Sequence, residues 1–569
     1  MEQRAFVAVV LMAAVLILYQ AFLVPSPDVA PPVERPAEQA AREPVPPPAV
    51  VPAPPPPAAP LPTPGSSASR VDRPPQRIST VTTPLYKAAV SSEGGKLQEF
   101  VLDYRGEKPL VSVGEFGPTG LAVSTEGKAP EVLPMIPSAG SIRVGPDERR
   151  QQLSLAGGID GLKVQETLTF RADSYTIDTS IRIDNAGSTP RTVTVALPWS
   201  TRQDWRDDAM MARFQGQHPT EIVWSAGGQV SRAENLCEVP AVMTDGAWIG
   251  TGSVWYMAAL IPHGNEFKLV ARGEDKGCEA KSQEPVGRAT IAVQATPVIA
   301  PGQSWEGRVT VFLGPKEYDR LKALGLEGAI NFGGFPVPRS WGGLPMEWLG
   351  VPILLLMNWV YEHVGNYGVA IILLTIVSKI LFFPLTLKSM RSMKAMQALQ
   401  PQINALRSKH KGDPQRLQRE TMDLYRQHKV NPMGGCLPMV AQVPIFYALY
   451  LALSVSVELQ NATFFCFGRL FGVDLWICDL ASHDPTYVLP VLMGVTMFVQ
   501  QKMTPVAGDP RQAKMMLIMP FIFTFMFLNL PSGLVLYWTV SNILQILQQW
   551  YMDRPKARAP REARDASRA

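Results

Sequence analysis

The sequence predicts a polytopic α-helical membrane protein of six spans with a large all-β sandwich domain outside the membrane. Three observations carry this. Six apolar runs, at residues 5–24, 367–387, 433–457, 487–503, 515–530 and 533–551, approach the roughly 20 residues that cross a bilayer. Between the first two, a long stretch alternates apolar and polar residues in the manner of half-buried strands. Basic residues gather in the segments that the runs place on one side of the membrane. A chain of 569 residues patterned in this way is not a wholly soluble protein, a fibrous repeat or a small disulfide scaffold. Its formal net charge of +4 is too small to argue for DNA or another nucleic acid as partner.

The first element is residues 1–24. Its apolar run is longer than the 7–15 residues of a cleaved signal and offers no clear small-x-small cleavage site, so it predicts an uncleaved signal anchor. Residues 25–79 are dominated by Pro, Ala and Val and predict an extended, polyproline-like tether.

Residues 80–335 predict the sandwich. Val164, Glu166, Leu168 and Phe170 alternate with polar neighbours, as do Tyr175, Ile177, Thr179, Ile181 and Ile183, and again Val309, Val311 and Leu313. The domain carries no Ser/His/Asp order, no HExxH and no phosphate-binding loop, and His218 and His263 stand apart as structural or surface residues. Nothing here predicts an enzyme, a metal site or a cofactor. Residues 344–364 set Trp348, Trp359 and Tyr361 around a short apolar run broken by Pro352, which predicts a helix lying in the membrane interface. The Gly365-Asn366 break then starts a spanning helix.

Charge fixes the topology. Residues 388–430 carry ten Lys and Arg against Asp413, Glu420 and Asp423, and the tail 553–569 is also basic. Residues 458–486 hold Arg469 against four acids. The positive-inside rule places both termini in the cytoplasm and the sandwich in the periplasm of a bacterial inner membrane. Residues 388–430 form a helical hairpin, with a Met stripe along its first arm and a break at Gly412-Asp413-Pro414. This topology puts Cys237, Cys278, Cys466 and Cys478 on the oxidising side, an even set for which local pairing as Cys237–Cys278 and Cys466–Cys478 is natural and free thiols packed in apolar places are the alternative.

Polar residues inside the runs point to a site. Lys379 lies among Ile376, Val377, Ile380 and Leu381. A lysine at a helix centre costs about 2.5–3.5 kcal/mol on insertion scales. Snorkelling to the headgroups is one outlet and a water-filled cavity is the other. Thr375 and Thr386 share its helical face and favour the cavity. The last run bears Trp538, Ser541, Asn542, Gln545, Gln548 and Gln549 at spacings of three and four. With Gln442, Thr496 and Gln500 on other runs, this stripe predicts a hydrophilic groove in preference to a helix–helix seam.

Three segments carry a family resemblance. They are Asn431-Pro432-Met433-Gly434-Gly435-Cys436-Leu437-Pro438 followed by Gln442-Val443-Pro444-Ile445-Phe446; Leu489-Pro490-Val491-Leu492-Met493-Gly494-Val495-Thr496-Met497-Phe498; and Pro531-Ser532-Gly533-Leu534-Val535-Leu536-Tyr537-Trp538 with Ser541-Asn542. In these, the chain resembles the Oxa/Alb family of membrane protein insertases in its bacterial YidC branch, across the core 366–552. The resemblance implies a five-helix insertase core whose groove is open to cytoplasm and lipid. It implies insertion and folding of nascent inner-membrane proteins, alone or with the Sec translocon, and a mutarotase-like outer sandwich. It implies ribosome contact through the cytoplasmic basic elements, weak or transient here because the tail is short. The family's groove charge is usually arginine, and Lys379 occupies that place. A secondary transporter would also carry an intramembrane charge, but the chain shows no internal repeat.

Overall fold

The computed structural model describes residues 75–104, 120–204, 220–236, 239, 241–274, 286–335, 344–410, 413–428, 430, 437–470, 473–503 and 517–553. The signal anchor, the tether up to residue 74, His218, Cys237, Cys278, Cys436, most of the 431–438 motif and the basic tail from residue 554 lie outside the described residues; residues 78–79, expected in the tether, already belong to the first strand, Ile78–Thr82.

Two large sheets build most of the β domain. In the nine-stranded sheet, Thr176–Asn185 pairs antiparallel with Leu162–Arg171 on one side and Ser304–Pro315 on the other. Their alternation buries Val164, Leu168, Phe170, Ile177, Ile181, Ile183, Val309 and Val311 in one core. In the seven-stranded sheet, Arg191–Asp204 lies between Val286–Ala295 and Ala122–Thr125. The single antiparallel sandwich read from the sequence is therefore incomplete. A further four-stranded sheet holds the one parallel pair among the described strands, Ile78–Thr82 with Ser141–Arg143. That pairing joins segments about sixty residues apart, a separation that local alternation does not encode.

Glu166 occupies a core position in this alternation. It is 1% exposed, its Oε2 meets no hydrogen-bond partner among the described residues, and burial pushes its pKa up to about 8. Gly95 closes over it, at a positive φ and with no room for a Cβ against the carboxylate.

The exit from the sandwich is tied by buried charge. Arg232 Nη1 lies 2.8 Å from Glu221 Oε1, and Lys316 Nζ lies 3.9 Å from the same oxygen. Asn331 Nδ2 donates to Glu221 Oε2 at 3.2 Å. Arg232 also donates to the carbonyls of Gly328 and Ile330, and Lys316 to that of Ala329. The chain that follows helix α1 (Tyr318–Ala323) is thereby fixed to the sheet just before it enters the helical part.

Helix α2 (Glu347–Val364) follows, with Phe332 packed on Gly350, where a Cβ would come within 2.6 Å of the ring. It buries Leu354, Met357 and Val360 and leaves Trp348 and Trp359 exposed. It ends at Gly365 in the left-handed conformation, whose N–H donates to Tyr361 O at 2.7 Å. Asn366 then caps α3 (Tyr367–Ala398), accepting from Val369 N–H at 3.2 Å.

Helix α3 corrects the expected boundary at residue 387. It runs 32 residues through Pro384 without ending. Proline removes one backbone donor, and here the loss does not break the helix. The first arm of the expected hairpin is thus an extension of α3; the turn to α4 (Gln400–Lys409) comes at Leu399, with Pro401 in its first turn. Helix α5 (Pro414–Gln427) is capped by Asp413, and His410 Nε2 meets Glu420 Oε2 at 2.9 Å to close the pair.

Among the described residues, the remaining helices are α6 (Leu437–Val455), α7 (Val488–Met503), α8 (Met519–Phe527) and α9 (Ser532–Asp553). Among the described residues, α3 is the one helix long and apolar enough to cross a membrane by length and composition, and α7 is a shorter apolar helix. The run at 515–530 is helical over nine residues. Hydrogen bonds from the β domain and from α1 dock on this bundle. Trp255 Nε1 donates to Ser454 O at 3.2 Å, Tyr256 Oη to Gln460 Oε1 at 2.8 Å and Tyr318 N–H to Glu458 Oε1 at 3.4 Å.

Candidate functional site

Helices α3, α7 and α9 carry all the expected groove residues except Gln442. Lys379 Nζ donates to Gln545 Oε1 at 3.2 Å, so the lysine of α3 meets the amide stripe of α9. No carboxylate pairs with Lys379 among the described residues. One turn earlier on α9, Asn542 Nδ2 donates to Thr496 Oγ1 of α7 at 3.4 Å. One turn later, Gln549 Nε2 donates to Met503 O at the end of α7. The stripe thus divides along its length. Ser541, Asn542 and Gln549 are buried, and the last two join α9 to α7 as a helix–helix seam. Lys379, Gln545, Thr386 and Gln500 are half-buried.

Other expected members sit differently. Thr375 is fully buried and its hydroxyl donates back to Ile371 O at 2.6 Å. Thr386 donates back to Phe382 O at 2.9 Å. Both satisfy themselves within α3, as a lone hydroxyl in an apolar helix commonly does. Trp538 leaves the polar stripe. Its ring meets Phe446 edge-on at 4.7 Å, Phe527 edge-on at 4.9 Å and Phe523 at 5.9 Å. The sequence reading missed this cluster, although Phe523 and Phe527 stand one turn apart on α8. Gln442 lies on α6, with its side chain outside the described residues. Cys466 and Cys478 are bonded as a disulfide across the hairpin of strands Cys466–Leu470 and Val473–Trp476. No group of three His, Cys, Asp or Glu side chains able to hold a metal occurs among the described residues.

The site is a cation and a set of amides on apolar helices. It can bind and solvate polar chain. Residues 359–559 match the family model of the 60Kd inner membrane protein, and residues 78–341 match that of the YidC periplasmic domain. The membrane protein insertase YidC of Syntrophus aciditrophicus is 39% identical over 575 residues, covering 97% of this chain and 100% of that protein. The chain belongs to the YidC family of membrane protein insertases. The YidC insertase of Citrifermentans bemidjiense is 37% identical over 579 residues, covering 98% of this chain and 100% of its own. A crystal structure of an active YidC insertase with its first transmembrane domain resolved aligns with 84% of this chain and 95% of its own, at 18% identity and a TM-score of 0.35. Like its YidC relatives, the chain is an inner-membrane protein with a periplasmic β-rich domain and a helical insertase region, and its function is membrane protein insertion.

Proposed function

We infer that insertion proceeds over the half-buried polar surface of Lys379, Gln545, Thr386 and Gln500, which forms a hydrophilic groove between cytoplasm and lipid. The observation that supports this is the partner of Lys379. Its ammonium is held by a neutral amide and by no acid among the described residues. Its charge is therefore not cancelled, and an acidic segment of a nascent chain can take it up. The client's polar tail leaves water for the groove while its apolar segment meets lipid at the exposed side of α3, where Val377, Ile380 and Leu381 stand. Burial of the apolar segment drives release, and the groove lowers the desolvation cost of the polar part. The sequence contains no G-x-x-x-x-G-K-[ST] motif, so helix burial, with the membrane potential acting on acidic tails, supplies the energy.

In this reading six spans, including the signal anchor and four shorter runs, place both termini in the cytoplasm. Helix α2 lies in the interface. The partners are nascent membrane proteins, lipid, the Sec translocon and, transiently, the ribosome at the basic hairpin.

The test is insertion of paired clients that differ only in tail charge, at matched abundance of each variant. Lys379→Arg keeps activity, Lys379→Ala impairs acidic-tailed clients most, and Lys379→Glu is worst because like charges repel in a partly desolvated space. Equal insertion of acidic tails by parent, Ala and Glu variants would refute the role.

A further inference from the structure

A ladder of aromatic rings runs outward from the first turn of α3. Phe464 packs on Gly368, where any Cβ would collide with the ring. The rings of Phe464 and Phe465 lie 4.3 Å apart. Phe465 stacks on Trp476 at 5.8 Å and 14°, and Trp476 stacks on Phe467 at 6.1 Å and 9°. The Cys466–Cys478 bond closes the hairpin that carries them. Phe465 and Phe467 are nevertheless 50% and 69% exposed. Rings this large normally gain their keep inside, by removing apolar area from water.

The fold sets the ladder at one level. The amide of Asn366, the cap of α3, donates to Phe464 O at 3.4 Å. Leu480 N–H donates to Ala462 O, and Gly533 N–H at the start of α9 donates to Leu480 O. The hairpin therefore sits at the N-terminal ends of α3 and α9. Tyr487 and Val488, at the start of α7, are exposed as well, as is Trp359 in the last turns of α2. Trp and Tyr collect where a bilayer meets water.

We propose that the Phe465–Trp476–Phe467 ladder lies in the headgroup–acyl boundary of the periplasmic leaflet, and that phospholipid covers its exposed rings. Lipid is the occupant because the ladder is continuous with α3, whose Leu373, Val377, Ile380 and Leu381 present an exposed apolar face just beyond it. The disulfide-closed hairpin is then an interfacial float that fixes the height of the α3 and α9 ends in the bilayer. The proposal rests on the reading of α3 as a span with its N-terminal end at the periplasmic face.

Photocrosslinking separates the two. The full chain, in nanodiscs of phosphatidylethanolamine and phosphatidylglycerol, carries p-benzoylphenylalanine in place of Phe467, Phe465, Leu381 or Ile136. Irradiation is followed by mass spectrometry for phospholipid adducts. Ile136, exposed on the sandwich, sets the background. Adduct yields at Phe467 and Phe465 at least tenfold above Ile136 and comparable with Leu381 are expected. No lipid at Leu381 would overturn the span itself. Lipid at Leu381 with both phenylalanine positions at background would overturn the float and leave the span standing.

Discussion

Lys379 Nζ and Gln545 Oε1 lie 3.2 Å apart, so the lysine of α3 is held to α9 by a neutral acceptor. A buried ion pair would respond to loss of the lysine with an orphaned anion and a cost of about 3–5 kcal/mol. Here loss of the lysine orphans an amide, at about 1 kcal/mol, and removes a charge that was costly to insert. Lys379→Met therefore leaves the unfolding temperature in detergent near that of the parent while insertion of acidic-tailed clients falls. A fall in stability matching a broken ion pair would show that the lysine is structural.

The Cys466–Cys478 disulfide closes a loop with a sequence separation of 12. In the chain-entropy model, a closure of that size contributes about 3 kcal/mol. Reduction, or Cys478→Ser, raises amide exchange across the hairpin strands by roughly a hundredfold, since each 1.4 kcal/mol is about tenfold. The α3 and α9 amides, held by their own helices, keep their protection. A uniform rise in all three would mean that the hairpin is part of the global unfolding unit.

Glu221 and Arg232 give a third test because their losses are unequal. Arg232→Ala leaves Glu221 with Lys316 and Asn331 still beside it. Glu221→Ala leaves Arg232 and Lys316 facing each other in the interior with no anion in the cluster. Burial already pushes the Lys316 ammonium down to about 8. Unfolding of the sandwich, followed by near-ultraviolet circular dichroism, should show the Glu221 variant losing more stability, on the order of 3–5 kcal/mol. The reverse order would place the main role of the cluster in the Arg232 bonds to Gly328 and Ile330.

Much of this was legible because alternation and periodicity are local. The strands 162–171 and 176–185 pair as their patterns require, and even Glu166 falls on the apolar face that its position in the alternation assigns. The Gly365-Asn366 boundary carries its own stop and start chemistry, one residue at a left-handed φ and the next a side-chain cap. What local pattern misreads is context. The apolar run 367–387 reads as ending where the basic segment begins, yet α3 continues to Ala398. Trp538 reads as part of an amide stripe, yet aromatic rings on two other helices claim it. Thr375 shares a face with Lys379 by spacing, but its hydroxyl is satisfied inside its own turn.

Glu166 provides the last prediction, and its sign follows from the direction of the shift. Burial raises its pKa from 4.5 to about 8. Between those values the folded chain keeps a proton that the unfolded chain has released, so stability falls as pH rises. The contribution is fully present below the unfolded pKa, declines across the window by roughly 1.4 kcal/mol per pH unit, and is lost above pH 8. Glu166→Gln cannot titrate and removes that slope. It should match the parent below about pH 4.5 and exceed it by roughly 3 kcal/mol at pH 7, taken as order of magnitude. The measurement is urea unfolding of the full chain in detergent, followed by tryptophan fluorescence at several pH values between 4 and 9. Parallel stability curves for the two proteins would mean that the Glu166 carboxylate ionises freely in the native state, either through water reaching Oε2 or through a partner supplied by chain outside the described residues.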